Sequence, residues 1–122
     1  MKRATTLALL LCLLLAPGVF AQADMSGEWS VNFSTPQGPQ EMTMYISQEG
    51  TRLSGHFTSE NGEFPLKGTM KDKGFTITWM FPDTGRMLEI TFTGTIDGDN
   101  LSGSADFGKY GASQLSGMRT GQ

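Results

Sequence analysis

The amino-acid sequence predicts an all-β protein, an eight-stranded antiparallel up-and-down barrel. Three observations carry that reading. Apolar and polar residues alternate over most of residues 28–120, glycine-containing turn pairs separate the alternating runs, and no segment after residue 23 sustains a 3.6-residue period. Alternation sends successive side chains to opposite faces, as a sheet with one buried and one wet face requires.

Residues 1–23 read as an address. Lys2 and Arg3 give a positive start, an apolar run covers 7–15, Pro17-Gly18 ends it, and Ala21-Gln22-Ala23 is a small-residue cleavage site. This is the pattern of a signal-peptide helix cut between Ala23 and Asp24, and it predicts a secreted or periplasmic protein. The apolar core is about half the ~20 residues a membrane span needs, so no stable membrane anchor is expected. Cys12 lies inside the apolar run and not at the cleavage point, which argues against lipidation.

The mature chain, 24–122, is expected to be a single domain. Removing Lys2 and Arg3 leaves seven basic residues against 12 acidic ones, a balance of −5. That sign argues against nucleic acid as a partner, which needs a basic stripe. The mature chain has no cysteine, so core packing alone must hold it, burying roughly two-thirds of its unfolded surface.

The strands follow in order. Residues 28–34 put Trp29, Val31 and Phe33 on one face, and 41–48 do the same with Met42, Met44 and Ile46. Residues 52–58 align Leu53, Gly55 and Phe57, and 63–70 align Phe64, Leu66, Gly68 and Met70. Residues 74–81 carry Phe75, Ile77, Trp79 and Phe81 inward, and 86–96 carry Leu88, Ile90, Phe92, Gly94 and Ile96. Residues 100–107 align Leu101, Gly103, Ala105 and Phe107, and 114–120 align Leu115, Gly117 and Arg119. Glu49-Gly50, Asn61-Gly62, Lys73-Gly74, Asp83-Thr84-Gly85 and Asp97-Gly98 are expected to supply the positive φ of hairpin turns. Longer connections are expected at 35–40, with Pro36 and Pro39, and at 108–113.

Short hairpins throughout favour a meander closed into a barrel, because closure removes exposed edges. A two-sheet sandwich is the alternative. Five strands carry a glycine between larger inward residues: Gly55, Gly68, Gly94, Gly103 and Gly117. Glycine there lets strands coil tightly enough to close a small barrel, or leaves room for a ligand. Both remain open at this level.

Gly27-Glu28-Trp29 at the start and Arg119 near the end resemble the signature of the calycin superfamily, which includes the lipocalins and avidin-like proteins. In that family a basic residue of the last strand packs over a tryptophan of the first. The resemblance implies a closed barrel with Trp29 and Arg119 as its closure, and a small-ligand site inside. Phe75-Thr76-Ile77-Thr78-Trp79 is similar to a mid-barrel strand of the avidin group. The asparagine which that group uses for biotin, two residues after the first tryptophan, is Val31 here. The chain is also similar to small secreted bacterial barrel domains.

No catalytic constellation is visible, and the protein is read as a non-enzyme. His56 is the sole histidine, so sites needing two are excluded, and its parity puts it on the outer face. Asp97-Gly98-Asp99-Asn100 lacks the later glutamate of a calcium loop. No metal site or cofactor is expected. The inner face is rich in aromatic and methionine side chains, which suit apolar or planar ligands. A secreted barrel binding a small hydrophobic or aromatic ligand follows, with Trp29, Met44, Phe57, Phe75, Trp79 and Phe92 as candidate contacts. The competing reading is a non-catalytic accessory or protein-interaction module with a filled core. Met80 and Met87 face outward and, with Pro82, form a candidate patch for a protein partner.

Overall fold

A computed structural model describes residues 23–121. The signal-peptide reading over 1–22 lies outside the described residues. Eight strands follow one another: β1 Gly27–Thr35, β2 Gly38–Glu49, β3 Arg52–Ser59, β4 Gly62–Lys71, β5 Gly74–Asp83, β6 Arg86–Asp97, β7 Asn100–Asp106 and β8 Ala112–Gly121. Each pairs antiparallel with the next, and β8 returns to pair with β1, closing the barrel. The closing register sets Trp29 beside Arg119, with an irregularity between Glu28 and Trp29.

Strand interiors follow the alternation read from the sequence. In β1, Trp29, Val31 and Phe33 are buried between exposed or half-buried neighbours. One continuous hydrophobic core occupies the interior, and among the described residues no polar or charged one is buried.

The connections differ from the sequence reading in three places. The expected long connection at 35–40 is a tight turn, because β1 runs to Thr35 and β2 starts at Gly38, pairing Ser34 with Pro39. Proline is tolerated there since the missing N–H falls at a strand end. The β5–β6 hairpin is likewise longer than expected, pairing through Asp83–Arg86, with positive φ at Thr84 and Gly85. In the β4–β5 turn the positive φ sits on Asp72 and not on Gly74. Aspartate tolerates that region because its short side chain bonds locally. Residues 108–113 hold a short 3-10 turn, Gly108–Tyr110, before β8.

The inward glycines answer a close approach of backbones. A Cβ on Gly55 would overlap the Tyr45 carbonyl oxygen, and one on Gly94 or Gly103 would overlap the carbonyl of Ser102 or Thr93 on the facing strand. Gly94 and Gly103 are directly paired. These positions are filled by neighbouring main chain and leave no space for a ligand, so coiling is the reason for glycine there.

The ladder between β4 and β5 ends at Leu66–Trp79, and that between β6 and β7 ends at Thr91–Asp106. Beyond those points the β5–β6 hairpin is paired only with itself. Its tip stands at the same barrel end as the β1–β2 and β3–β4 turns and the 3-10 turn.

Candidate functional site

The two barrel ends differ. At one, residues 24–26, just before the first strand, plug the opening. Met25 is fully buried there. Its N–H donates to Gln48 Oε1 at 2.7 Å, and its carbonyl accepts the Trp29 indole N–H at 2.9 Å. Gln48 Nε2 also donates to the Gly50 carbonyl and, in the uncut chain, to that of Ala23.

From the other side of the plug comes Arg119. Its guanidinium carbon lies 4.5 Å from the Trp29 ring centroid. Its Nη1 donates to the Ser26 carbonyl, its Nη2 to the Asp24 carbonyl at 2.8 Å, and its Nε to Asp99 Oδ1 at 2.9 Å. Nη2 further reaches the Gly98 carbonyl at 3.4 Å. An arginine fork with fixed planar geometry can meet several acceptors at once, which a lysine cannot. Asp24 is held below the usual carboxylate range, chiefly because the Ser26 backbone N–H donates to it, with the Ser26 hydroxyl and Arg119 helping and burial opposing.

At the opposite end the barrel opens into a cavity of about 520 Å³. Its apolar wall includes Phe33, Met42, Trp79, Phe81, Leu88 and Phe107. Polar groups stand toward the turns, among them Gln37, Ser59, Asn61, Asp83, Thr84 and Tyr110. The Tyr110 hydroxyl donates to Asp83 Oδ2 at 2.9 Å, tying the 3-10 turn to the tip of the β5–β6 hairpin.

Trp79 joins this cavity to the packed core. Its ring centroid lies 4.6 Å from that of Phe57 and 5.7 Å from that of Phe92. Its Nε1 is buried and has no hydrogen-bond partner. Leaving such a donor unpaired costs about 1–3 kcal/mol.

Among the six candidate contacts named from sequence, Trp79 borders the cavity. Trp29, Met44, Phe57, Phe75 and Phe92 are buried in the core and do not border it. They are bulky and face one another across a narrow barrel, so they fill their part of the interior with their own atoms. Phe33, Met42, Phe81, Leu88, Ile90 and Phe107 line the site instead. They are the inward residues nearest the turns at one end, so counting positions from alternate hairpins would have found them. Tyr110 and Asp83 carried no such signal, because their meeting spans two connections.

Met80 and Met87 are exposed, at 41% and 54%, on the self-paired hairpin tip, and Pro82 is exposed between them. His56 is half-buried on the outer face, with its ring stacked on Tyr45 at 4.9 Å. Among the described residues no group of His, Cys, Asp or Glu is placed to hold a metal ion, and no helix is long and apolar enough to cross a membrane.

Compared with protein-family models and with curated proteins, the chain matches none. Its class is therefore defined by its own geometry. It is an eight-stranded antiparallel closed barrel, plugged at one end and open at the other.

Proposed function

We propose that the protein is an exported, calycin-like barrel that carries or sequesters a small hydrophobic or aromatic molecule in its open end, and that it binds without catalysing. One observation carries this reading: a cavity of about 520 Å³ open at one barrel end, with Trp79 among the rings of its wall. Cavities of roughly 300–1,000 Å³ with apolar walls and a few polar groups are the usual form of small-molecule sites. The arrangement of Arg119 over Trp29, with a first strand opening on Gly27-Glu28-Trp29, supports the calycin-like part. Export rests on the signal pattern of residues 1–23. The N-terminal sequence of exported protein tests it, with a start at Asp24 expected.

Ligand binding is tested by fluorescence titration of a Trp29→Phe variant, in which Trp79 is the remaining tryptophan. Flat aromatics and retinoids are expected to shift its emission with one-site saturation. Filling the mouth with Leu88→Trp and reading thermal stabilisation by ligand should abolish the effect. An unchanged emission and melting temperature across fatty acids, retinoids and flat aromatics would overturn the reading.

The hairpin tip favours a second reading, an accessory module that meets a protein partner through Met80, Pro82 and Met87. Both methionines are exposed there, and the tip pairs with no neighbouring strand. A partner that is lost with Met80→Ser plus Met87→Ser, while the cavity still takes its ligand, would assign that role.

A further inference from the structure

We infer that the cavity selects an organic cation on a flat aromatic body, such as an aromatic amine, over the carboxylate of a fatty acid. The inference rests on the ligand-binding reading above and names the chemistry of that same site.

Charge is the first reason. Asp83 is the one charged side chain in the cavity lining, which contains no lysine, arginine or histidine. The carboxylate is held in place by hydroxyl groups: Tyr110 donates to Oδ2 at 2.9 Å and Thr84 to Oδ1 at 3.3 Å. Hydroxyl donors position a carboxylate without neutralising it, and each oxygen keeps a lone pair for a further donor. Arg86 faces Asp83 across the hairpin register. Among the described residues, however, the ion pair that forms is Arg119–Asp99 at the far end of the barrel. The mouth thus offers an anchored negative charge that is in no ion pair, with Lys109 nearby, its Nζ 5.1 Å from the Tyr110 ring centroid.

The aromatic wall is the second reason. Phe33, Trp79, Phe81 and Phe107 surround the same space, with Tyr110 beside them under the Lys109 ammonium. Ring faces carry negative quadrupole potential and attract cations, most strongly where water is excluded. A carboxylate entering here would meet like charge and find no cationic side chain in the lining. The acidic balance of the exported chain, seven basic residues against 12 acidic ones, adds long-range attraction in the same sense.

The ring-lined wall also argues for an aromatic body, because flat faces stack on Phe and Trp rings better than an alkyl chain does.

Three matched probes test the proposal on the purified protein, with thermal shift and calorimetric titration as readouts: 2-naphthylmethylammonium, 2-methylnaphthalene and 2-naphthylacetate. The cation is expected to bind on the order of tenfold more tightly than the neutral probe, the combined size of a cation–π contact and a partly screened ion pair. The carboxylate should bind most weakly. Asp83→Asn should erase the advantage of the cation and leave the neutral probe within about twofold of its original affinity. Tyr110→Phe, which removes the tether and keeps the charge, should retain the preference for cation over carboxylate. Added salt should shrink the cation's advantage. Equal binding of cation and neutral probe, tighter binding of the carboxylate, or an unchanged preference in Asp83→Asn overturns this proposal and leaves the ligand-binding reading standing. Failure of all three probes to bind overturns this proposal, and the ligand-binding reading falls with it only if fatty acids and retinoids fail as well.

Discussion

Replacing Arg119 with alanine removes the clamp that joins the last strand, the plug and the first strand. The size of the loss can be built from its contacts. The side chain is 10% exposed, so its position over the Trp29 ring is largely dry, and a cation–π contact there is worth about 1 kcal/mol. Hydrogen bonds from a charged donor to the Ser26 and Asp24 carbonyls contribute about 1.5–3 kcal/mol each before the cost of desolvating the guanidinium. Asp99 is 70% exposed, so that ion pair adds only about 0.5 kcal/mol after solvent screening. Allowing for desolvation and non-additivity, the net loss should be about 3 kcal/mol. That is a large share of the roughly 5–15 kcal/mol that holds a domain together, and it should lower the melting temperature by more than about 10 °C. Urea unfolding of wild type, Arg119→Ala, Trp29→Leu and the double variant measures both the loss and the coupling. A coupling of about 0.5–2 kcal/mol is expected between the two sites. Losses that add to within about 0.3 kcal/mol, or an Arg119→Ala cost below about 1 kcal/mol, would refute the clamp.

Other perturbations probe the remaining claims. Gly94→Ala drives a methyl into the Ser102 carbonyl, whereas Gly74→Ala meets nothing nearer than 3.4 Å. The first should cost at least about 2 kcal/mol and the second under about 1 kcal/mol by denaturant melts, and equal costs would remove the close-approach explanation. Trp29→Phe gives up a hydrogen bond to Met25, while Trp79→Phe discards a donor that has none. Trp29→Phe should therefore be the more damaging, by about 1–2 kcal/mol, and the reverse order in the same melts would contradict that account. For Asp24, the folded-state pKa lies below the unfolded value. The folded state thus binds this proton less readily, so the contribution is present above the unfolded pKa and is lost as pH falls through the folded one. Stability measured from neutral pH down through the carboxylate range should fall more gently in Asp24→Asn, and parallel curves would show that the Ser26 bond contributes nothing.

Legibility divided along a physical line. Trp29, Val31 and Phe33 alternate with Ser30 and Asn32, and that period alone determined which atoms of β1 face inward. The same holds for the other strands, because side-chain parity is a local property of an extended chain. Glycine in most hairpins marked where the chain reverses. The short β1–β2 turn was hidden, since prolines at 36 and 39 read as a loop when their partners are unknown.

What the local chain could not carry was height along the barrel and depth within it. Every inward aromatic has the same parity, yet Phe57 and Phe92 are packed solid while Phe33, Phe81 and Phe107 border open space. That difference arises from strand stagger and from the end at which each residue lies, both set by eight pairings at once. The plug is similar in kind: Met25 precedes the first strand and shows no alternation, and it is buried because Gln48, Trp29 and Arg119 converge on its neighbourhood. Alternation along the chain thus determined inside from outside. Only closure of the barrel decided which inside is filled and which is left as a cup, because filling depends on volumes contributed by strands distant in sequence.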